Sequence, residues 1–303
     1  MKNLKKPKEI AEDLDTQVDD LSIPTLLFHK VTPKWEVGIS CVKPNVFRKM
    51  MTMLKEQGWQ TILPSHLLND YSKQKIREKS FILTFDDGYD CLYEYVLPIL
   101  NELDFQAIVF IPTKFIGKRN DWDHHLLGRE FHHLKSSQIK SLIEHGWEVG
   151  SHTVSHRSSL EIDDVTLREE FLNSRLELEN LLGIRINWIS FPFGRWDPNV
   201  LQIAIGSGYS GAITIFNKFS RTLSLDFTIY KDENVSNRLN FDYDLLDGVK
   251  SFKLIFATAI YQFDNPKSVI KLMDNPQSPQ LLRRWINWCS IGTIVWNKLF
   301  TKR

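Results

Sequence analysis

The feature that most constrains this chain is an alternation. Short runs that are apolar at nearly every position are separated by stretches whose apolar residues recur at helical spacing. Ile23–Phe28, Trp59–Leu63, Phe81–Phe85, Phe105–Pro112, Trp147–Gly150, Ile186–Phe191 and Tyr209–Phe216 read as strands. Between them, Lys43–Gly58, Tyr93–Leu103, Ser136–His145, Val165–Leu182 and Asn199–Gly206 read as helices, with Gly58, Gly146 and Gly183 where glycine closes a helix. A strand with no polar face must be covered on both sides, which a parallel sheet flanked by helices achieves. The predicted fold class is therefore α/β. Repeated βα units favour a barrel over an open dinucleotide-binding sheet, and no glycine-rich phosphate loop follows any strand. The polar residues of interest fall at the strand ends, which in a barrel form the active face.

Composition narrows the function classes. A 303-residue chain, 42% hydrophobic and 25% charged, is neither disordered nor fibrous. Lys+Arg 38 against Asp+Glu 37 leaves a net charge of +1, without the basic excess of a nucleic-acid binder. Cys41, Cys91 and Cys289 are widely spaced and in no CxxC pair, which argues against a disulfide framework or a cysteine zinc site. Residues 1–21 read as a polar tail with no apolar stretch of the signal-peptide kind, and no uncharged apolar run reaches the roughly 20 residues that span a bilayer. The expectation is a soluble, cytoplasmic protein.

The barrel pattern is expected over 22–262, with a helical tail over 263–303. Within 280–303, Leu281, Trp285, Trp288, Cys289, Val295, Trp296 and Leu299 recur at near-helical spacing among Arg283, Arg284, Lys298, Lys302 and Arg303. Two readings stay open: a helix packed on the barrel, or a basic amphipathic helix in peripheral contact with a membrane surface.

The chemistry concentrates in two segments, Thr84-Phe-Asp-Asp-Gly-Tyr-Asp90 and Ser151-His-Thr-Val-Ser-His156. Adjacent aspartates are crowded like charges that need a cation or hydrogen-bond donors beside them. His152 and His156 are four apart, so one helical turn puts both imidazoles on one side. One carboxylate and two imidazoles form a donor set suited to zinc or a similar divalent metal. Three protein ligands leave a position for water.

With Phe191-Pro-Phe-Gly194, these segments resemble the polysaccharide deacetylases, carbohydrate esterase family 4, over roughly Ile23 to Ile260. The resemblance implies a distorted barrel of about seven β/α units that removes N-acetyl groups from amino sugars of a polysaccharide or lipid-linked sugar. It implies Asp86 as catalytic base, Asp87, His152 and His156 as ligands of a divalent metal, and the Phe193 backbone N–H as oxyanion donor, at a position usually held by Tyr. Tyr89, Phe193 and Trp196 are the expected sugar contacts. For Trp188 core packing is the better reading.

The chain departs from the family's pattern in two places. All nine histidines lie at or before His156, so the late Leu-x-x-His motif of many members is absent. Leu26-Leu-Phe-His-Lys-Val31 resembles the first strand of a subgroup that carries its acid histidine there, which implies His29 as the acid. Ser190 stands where the family's base-orienting arginine is expected; Arg195 is either a substitute or a solvated surface residue. The histidines of the 124–133 stretch read as a loop flanking the cleft or as sugar contacts. Hydrolysis of a non-sugar amide, and sugar binding without catalysis, are the alternative functions.

Overall fold

The computed structural model describes residues 23–34, 40–68, 79–121, 130–215, 238–241 and 252–259. The expected tails 1–21 and 263–303, and His124 and His125, lie outside the described residues. In chain order the elements are β1 (Thr25–Phe28), β2 (Lys30–Val31), β3 (Cys41–Val42), α1 (Pro44–Glu56), β4 (Gln60–Thr61), β5 (Ser80–Phe85), α2 (Leu97–Glu102), β6 (Ile108–Ile111), α3 (Ser136–Glu144), β7 (Glu148–Ser151), α4 (Asp164–Leu182), β8 (Trp188–Ser190), α5 (Pro198–Gly206), β9 (Gly211–Ile215), β10 (Arg238–Phe241) and β11 (Phe252–Ala259).

Strands β5, β6, β7, β8, β9 and β11 pair in that order, all parallel. Strand β1 pairs with β5 on one side, Leu26 opposite Leu83, and with β11 on the other, Leu26 opposite Thr258. The sheet therefore curls round on itself as a (β/α) barrel. It is distorted, since β7 and β8 share only the Ser151–Ile189 register.

Side-chain alternation explains the unbroken apolar runs. Leu27, Ile82, Ile108, Phe110, Trp188, Ile213 and Ala257 share one cluster and fill the interior. Their strand neighbours Leu26, Phe28, Leu83, Phe85, Val109, Ile189 and Ala212 belong to a second cluster with Phe47, Met51, Leu142, Leu167 and Phe171 of the helices. Both faces of each strand are thus buried, at roughly 1.5–3 kcal/mol for each large apolar side chain. Gly150 in β7 is dictated by a close approach: a Cβ there would lie 2.4 Å from the Phe110 ring and 3.0 Å from the Trp188 carbonyl oxygen.

The elements differ from the sequence reading in four places. Trp59–Leu63 supplies only the edge strand β4, and a 3-10 turn, Pro64–Leu67, follows at once. The helix expected from Tyr93 opens as a π turn, Leu92–Val96, before α2. Pro98 has no N–H to give to the carbonyl four residues back, which offsets the hydrogen-bond ladder there. Tyr209–Phe216 does not complete the series, because β11, with β10 antiparallel beside it, joins β9 to β1. Finally, β2 and β3 form a separate small parallel pair just past β1. Among the described residues no helix is long and apolar enough to cross a membrane.

Candidate active site

Four strand ends supply the site. His29 follows β1, Asp86 and Asp87 follow β5, His152 follows β7, and Phe191–Gly194 follows β8. All four leave the barrel at its C-terminal face. The Asp86 N–H donates to the Phe28 carbonyl oxygen at 3.0 Å, which ties the β5 exit to the β1 exit beside His29. Asp87 then takes a left-handed backbone, φ 67°, and Gly88 follows at φ 58°. That turn is held from outside. His133 Nδ1 donates to the Asp87 carbonyl at 2.7 Å, and the Leu134 N–H donates to the Gly88 carbonyl at 2.8 Å.

Asp86, Asp87, His152 and His156 are all buried. One oxygen of Asp87, Oδ1, lies 3.3 Å from His152 Nε2 and 3.1 Å from His156 Nε2. Ligand atoms of the three residues lie within 4.8 Å of one another. His152 Nδ1 donates to the Ser190 carbonyl at 2.9 Å, so in the neutral imidazole Nε2 carries the lone pair. A lone pair facing an anionic oxygen is repulsive unless a cation stands between them. A proton is one such cation: burial would lower the His152 pKa, but the Asp86 charge and the Asp87 hydrogen bond outweigh it and raise it. A divalent metal is the other, and the donor set of one carboxylate and two imidazoles fits it. Burial would raise the Asp87 carboxyl, but His156 and the imidazole hydrogen bonds hold it well below the usual carboxylate range.

The two imidazoles converge, but not by way of a helix. Segment 152–156 is a loop with φ 66° at Thr153 and φ 58° at His156. It is pinned by Ser151 Oγ accepting from the Thr153 N–H and by Thr153 Oγ1 accepting from the His156 N–H, both at 3.1 Å. Its hydroxyls replace the helical ladder, so the expected helical turn is corrected to a strained loop. Of the five non-glycine residues at positive φ among the described residues, four, Asp87, Thr153, His156 and Phe193, gather here, as is common at functional sites; the fifth, Asp104, follows α2.

Asp86 Oδ2 accepts from Ser190 Oγ at 3.0 Å. Ser190 thus holds Asp86 through its side chain and His152 through its backbone. Arg195 does not substitute for the missing arginine, because its guanidinium pairs with Glu161. Burial pushes the Asp86 pKa up, against the lowering effect of His152 and His29. Phe193 sits in the left-handed position of the Pro192–Gly194 turn, and its half-exposed ring packs edge-on against His156, 4.9 Å between centroids.

Tyr89 and Trp196, expected on the cleft wall, are instead 1% and 5% exposed. The Tyr89 hydroxyl accepts from Asn120 Nδ2 at 2.6 Å, and its ring stacks on His133. Trp196 belongs to the main apolar cluster, and Trp188 fills the barrel as expected. Tyr89 packs with Cys91 and Phe131 in a small cluster of its own, and burying rings of this size removes a large apolar area from water. His133, grouped in sequence with the cleft loop, is a buried support of Asp87. Nothing in its local sequence signals that contact.

Residues 73–212 match the family model for polysaccharide deacetylases. Over that stretch the chain is similar to the polysaccharide deacetylases. Asp86, Asp87, His152, His156, Ser190 and Phe193 fall inside the matched stretch, whereas His29 lies outside it. The chain is 29% identical over 225 residues to YxkH of Bacillus subtilis (strain 168), which carries the same family name; the alignment covers 69% of this chain and 74% of that one. It is 22% identical over 206 residues to the poly-beta-1,6-N-acetyl-D-glucosamine N-deacetylase of Staphylococcus aureus (strain N315), covering 64% and 68%. The Streptococcus pyogenes deacetylase PplD, solved in complex with acetate, shares the fold of this chain with a TM-score of 0.63 at 19% identity, covering 84% of this chain and 99% of that one.

Proposed function

We propose that this protein is a metal-dependent hydrolase that removes N-acetyl groups from amino sugars of a polysaccharide or lipid-linked sugar. The observation that carries this reading is the buried Asp87–His152–His156 cluster with the Asp86 carboxyl beside it, at the C-terminal face of the barrel. The Staphylococcus aureus relative, named for N-deacetylation of an N-acetylglucosamine polymer, supports the substrate class.

Asp87, His152 and His156 would hold the divalent ion, with zinc the best match to the donor set. When bound, the ion supplies Lewis acidity that makes a water acidic and polarises the acyl oxygen. Asp86 accepts the proton of the attacking water, and its burial-raised pKa makes it a stronger base than an exposed aspartate. Ser190 Oγ fixes which Asp86 oxygen stays available. In this reading the Phe193 N–H stabilises the tetrahedral oxyanion, its turn holding that N–H in place before the substrate arrives. His29 gives the proton that lets the amine depart.

The test is zinc content of the purified protein together with acetate release from N-acetylglucosamine oligomers. Asp86→Asn is expected to keep the metal and lose most turnover, whereas Asp87→Asn loses the metal as well. A protein that binds no divalent metal, or an Asp86→Asn variant with near-parental turnover, overturns the reading.

A further inference from the structure

Helix α4 does more than cover the barrel. Its start is fixed by Asp163, whose Oδ1 accepts from the N–H groups of Val165 and Thr166, both at 3.0 Å. Farther along, Glu170 faces the loop that joins His152 to His156. Its Oε2 accepts from two consecutive backbone N–H groups, Val154 at 2.9 Å and Ser155 at 2.8 Å. Its Oε1 accepts from Ser155 Oγ at 2.5 Å. On the loop's other side, the N–H groups of Thr113 and Lys114 donate to the Thr153 and Val154 carbonyls at 3.1 and 3.0 Å.

Charge-assisted hydrogen bonds of this kind are about twice as strong as neutral ones, and both carboxylate oxygens are engaged. The loop needs such an anchor. It carries positive φ at Thr153 and His156, so its backbone geometry must be imposed by what surrounds it. Its ends are the two imidazoles that meet at Asp87 Oδ1.

We propose that Glu170 is a positioning residue for the metal ligands: it fixes the backbone between His152 and His156 so that both Nε2 atoms converge on Asp87. This rests on the metal reading above. Glu170 touches neither the ligand atoms nor Asp86 and acts only through the loop.

The test uses the full chain with zinc as the probe. Zinc affinity is measured by chelator competition for the parent, Glu170→Gln, Ser155→Ala and the double variant. Gln has the shape of Glu but one oxygen and no charge, so it cannot serve all three donors. Glu170→Gln should weaken zinc binding by roughly 10–100-fold, the usual effect of losing a group that orients metal ligands, with kcat at saturating zinc within roughly threefold of the parent. Ser155→Ala removes one leg of the clamp and should weaken zinc binding less. The double variant should be no weaker than the sum of the two losses, because both act on one contact. Zinc affinity within about twofold of the parent in both single variants overturns the proposal. So does a kcat at saturating zinc that falls as far as the affinity, since Glu170 would then act on the reaction itself. A parent that binds no zinc overturns the metal reading and this proposal together, whereas zinc-binding variants equal to a zinc-binding parent overturn this one alone.

Discussion

His29 and Glu148 are both partly buried titratable groups, at opposite ends of barrel strands. His29 leaves the C-terminal end of β1 and lies close enough for its charge to act on both Asp86 and Asp87. Among the described residues its Nδ1 has no hydrogen-bond partner, so no such bond fixes its tautomer. If it is the acid, His29→Ala should keep fold and metal but lower kcat by roughly 10²–10⁴-fold, measured as acetate release. A loss below about tenfold would remove His29 from the proton path. Glu148 sits at the N-terminal end of β7, where its Oε1 accepts from the Ser65 N–H at 3.1 Å. Burial raises its pKa from 4.5, only partly offset by the Ser65 hydrogen bonds. Its carboxyl is tolerated in the fold while protonated, so its contribution is most favourable below the unfolded value. That contribution is lost as pH rises through the higher folded value. Glu148→Gln keeps an acceptor for Ser65 and abolishes the titration. The Tm of the variant relative to the parent should therefore climb between about pH 4 and pH 7. A constant Tm difference across that range would show that burial does not perturb Glu148.

Elements were legible where one local rule decides them. The almost wholly apolar runs Phe81–Phe85 and Phe105–Pro112 announce strands buried on both faces, and α4 ends at Gly183, φ 70°, as its glycine predicts. Legibility failed where a distant partner decides. The pairing of His152 with His156 was readable from spacing, but the helical reason for it was wrong, because Ser151 and Thr153 hydroxyls build the loop instead. Glu170 is 16 and 15 positions from the backbone atoms it holds and His133 is 46 from the one it holds, with no motif to mark either. Strand β11 carries an apolar run interrupted by Lys253, and no polar motif at its end marks it as a barrel strand. The packing of β6 against β7 is the most exposed test at this scale. Gly150→Ala would push a methyl to 2.4 Å from the Phe110 ring, next to rigid backbone at Trp188. Overpacking of this kind should cost about 1–3 kcal/mol, read as a lower Tm. An unchanged Tm would mean that β6 and β7 can move apart at no cost.

At the scale of the whole molecule, the barrel is larger than the motif-bearing stretch. The matched residues, 73–212, contain β5 to β8 and most of the imidazoles and carboxylates, yet neither β1 nor β11. Those two strands fill the gap between β5 and β9, and β1 brings His29 with it. A fragment limited to 73–212 would expose the edges of two apolar strands and should aggregate. The limits 22–262 include every described element, so a fragment with those ends should keep the Tm, zinc content and acetate release of the full chain. Loss of folding in that fragment would place part of the core in the tails. The same fragment separates the two readings of 280–303, which lie outside the described residues. A basic, tryptophan-rich amphipathic segment that docks on lipid makes the full chain sediment with anionic vesicles at low salt, and added salt releases it. Under that reading the 22–262 fragment stays in the supernatant with its activity intact. A full chain that fails to sediment, together with a fragment of lowered Tm, would instead mean that the tail packs on the barrel and completes its apolar surface.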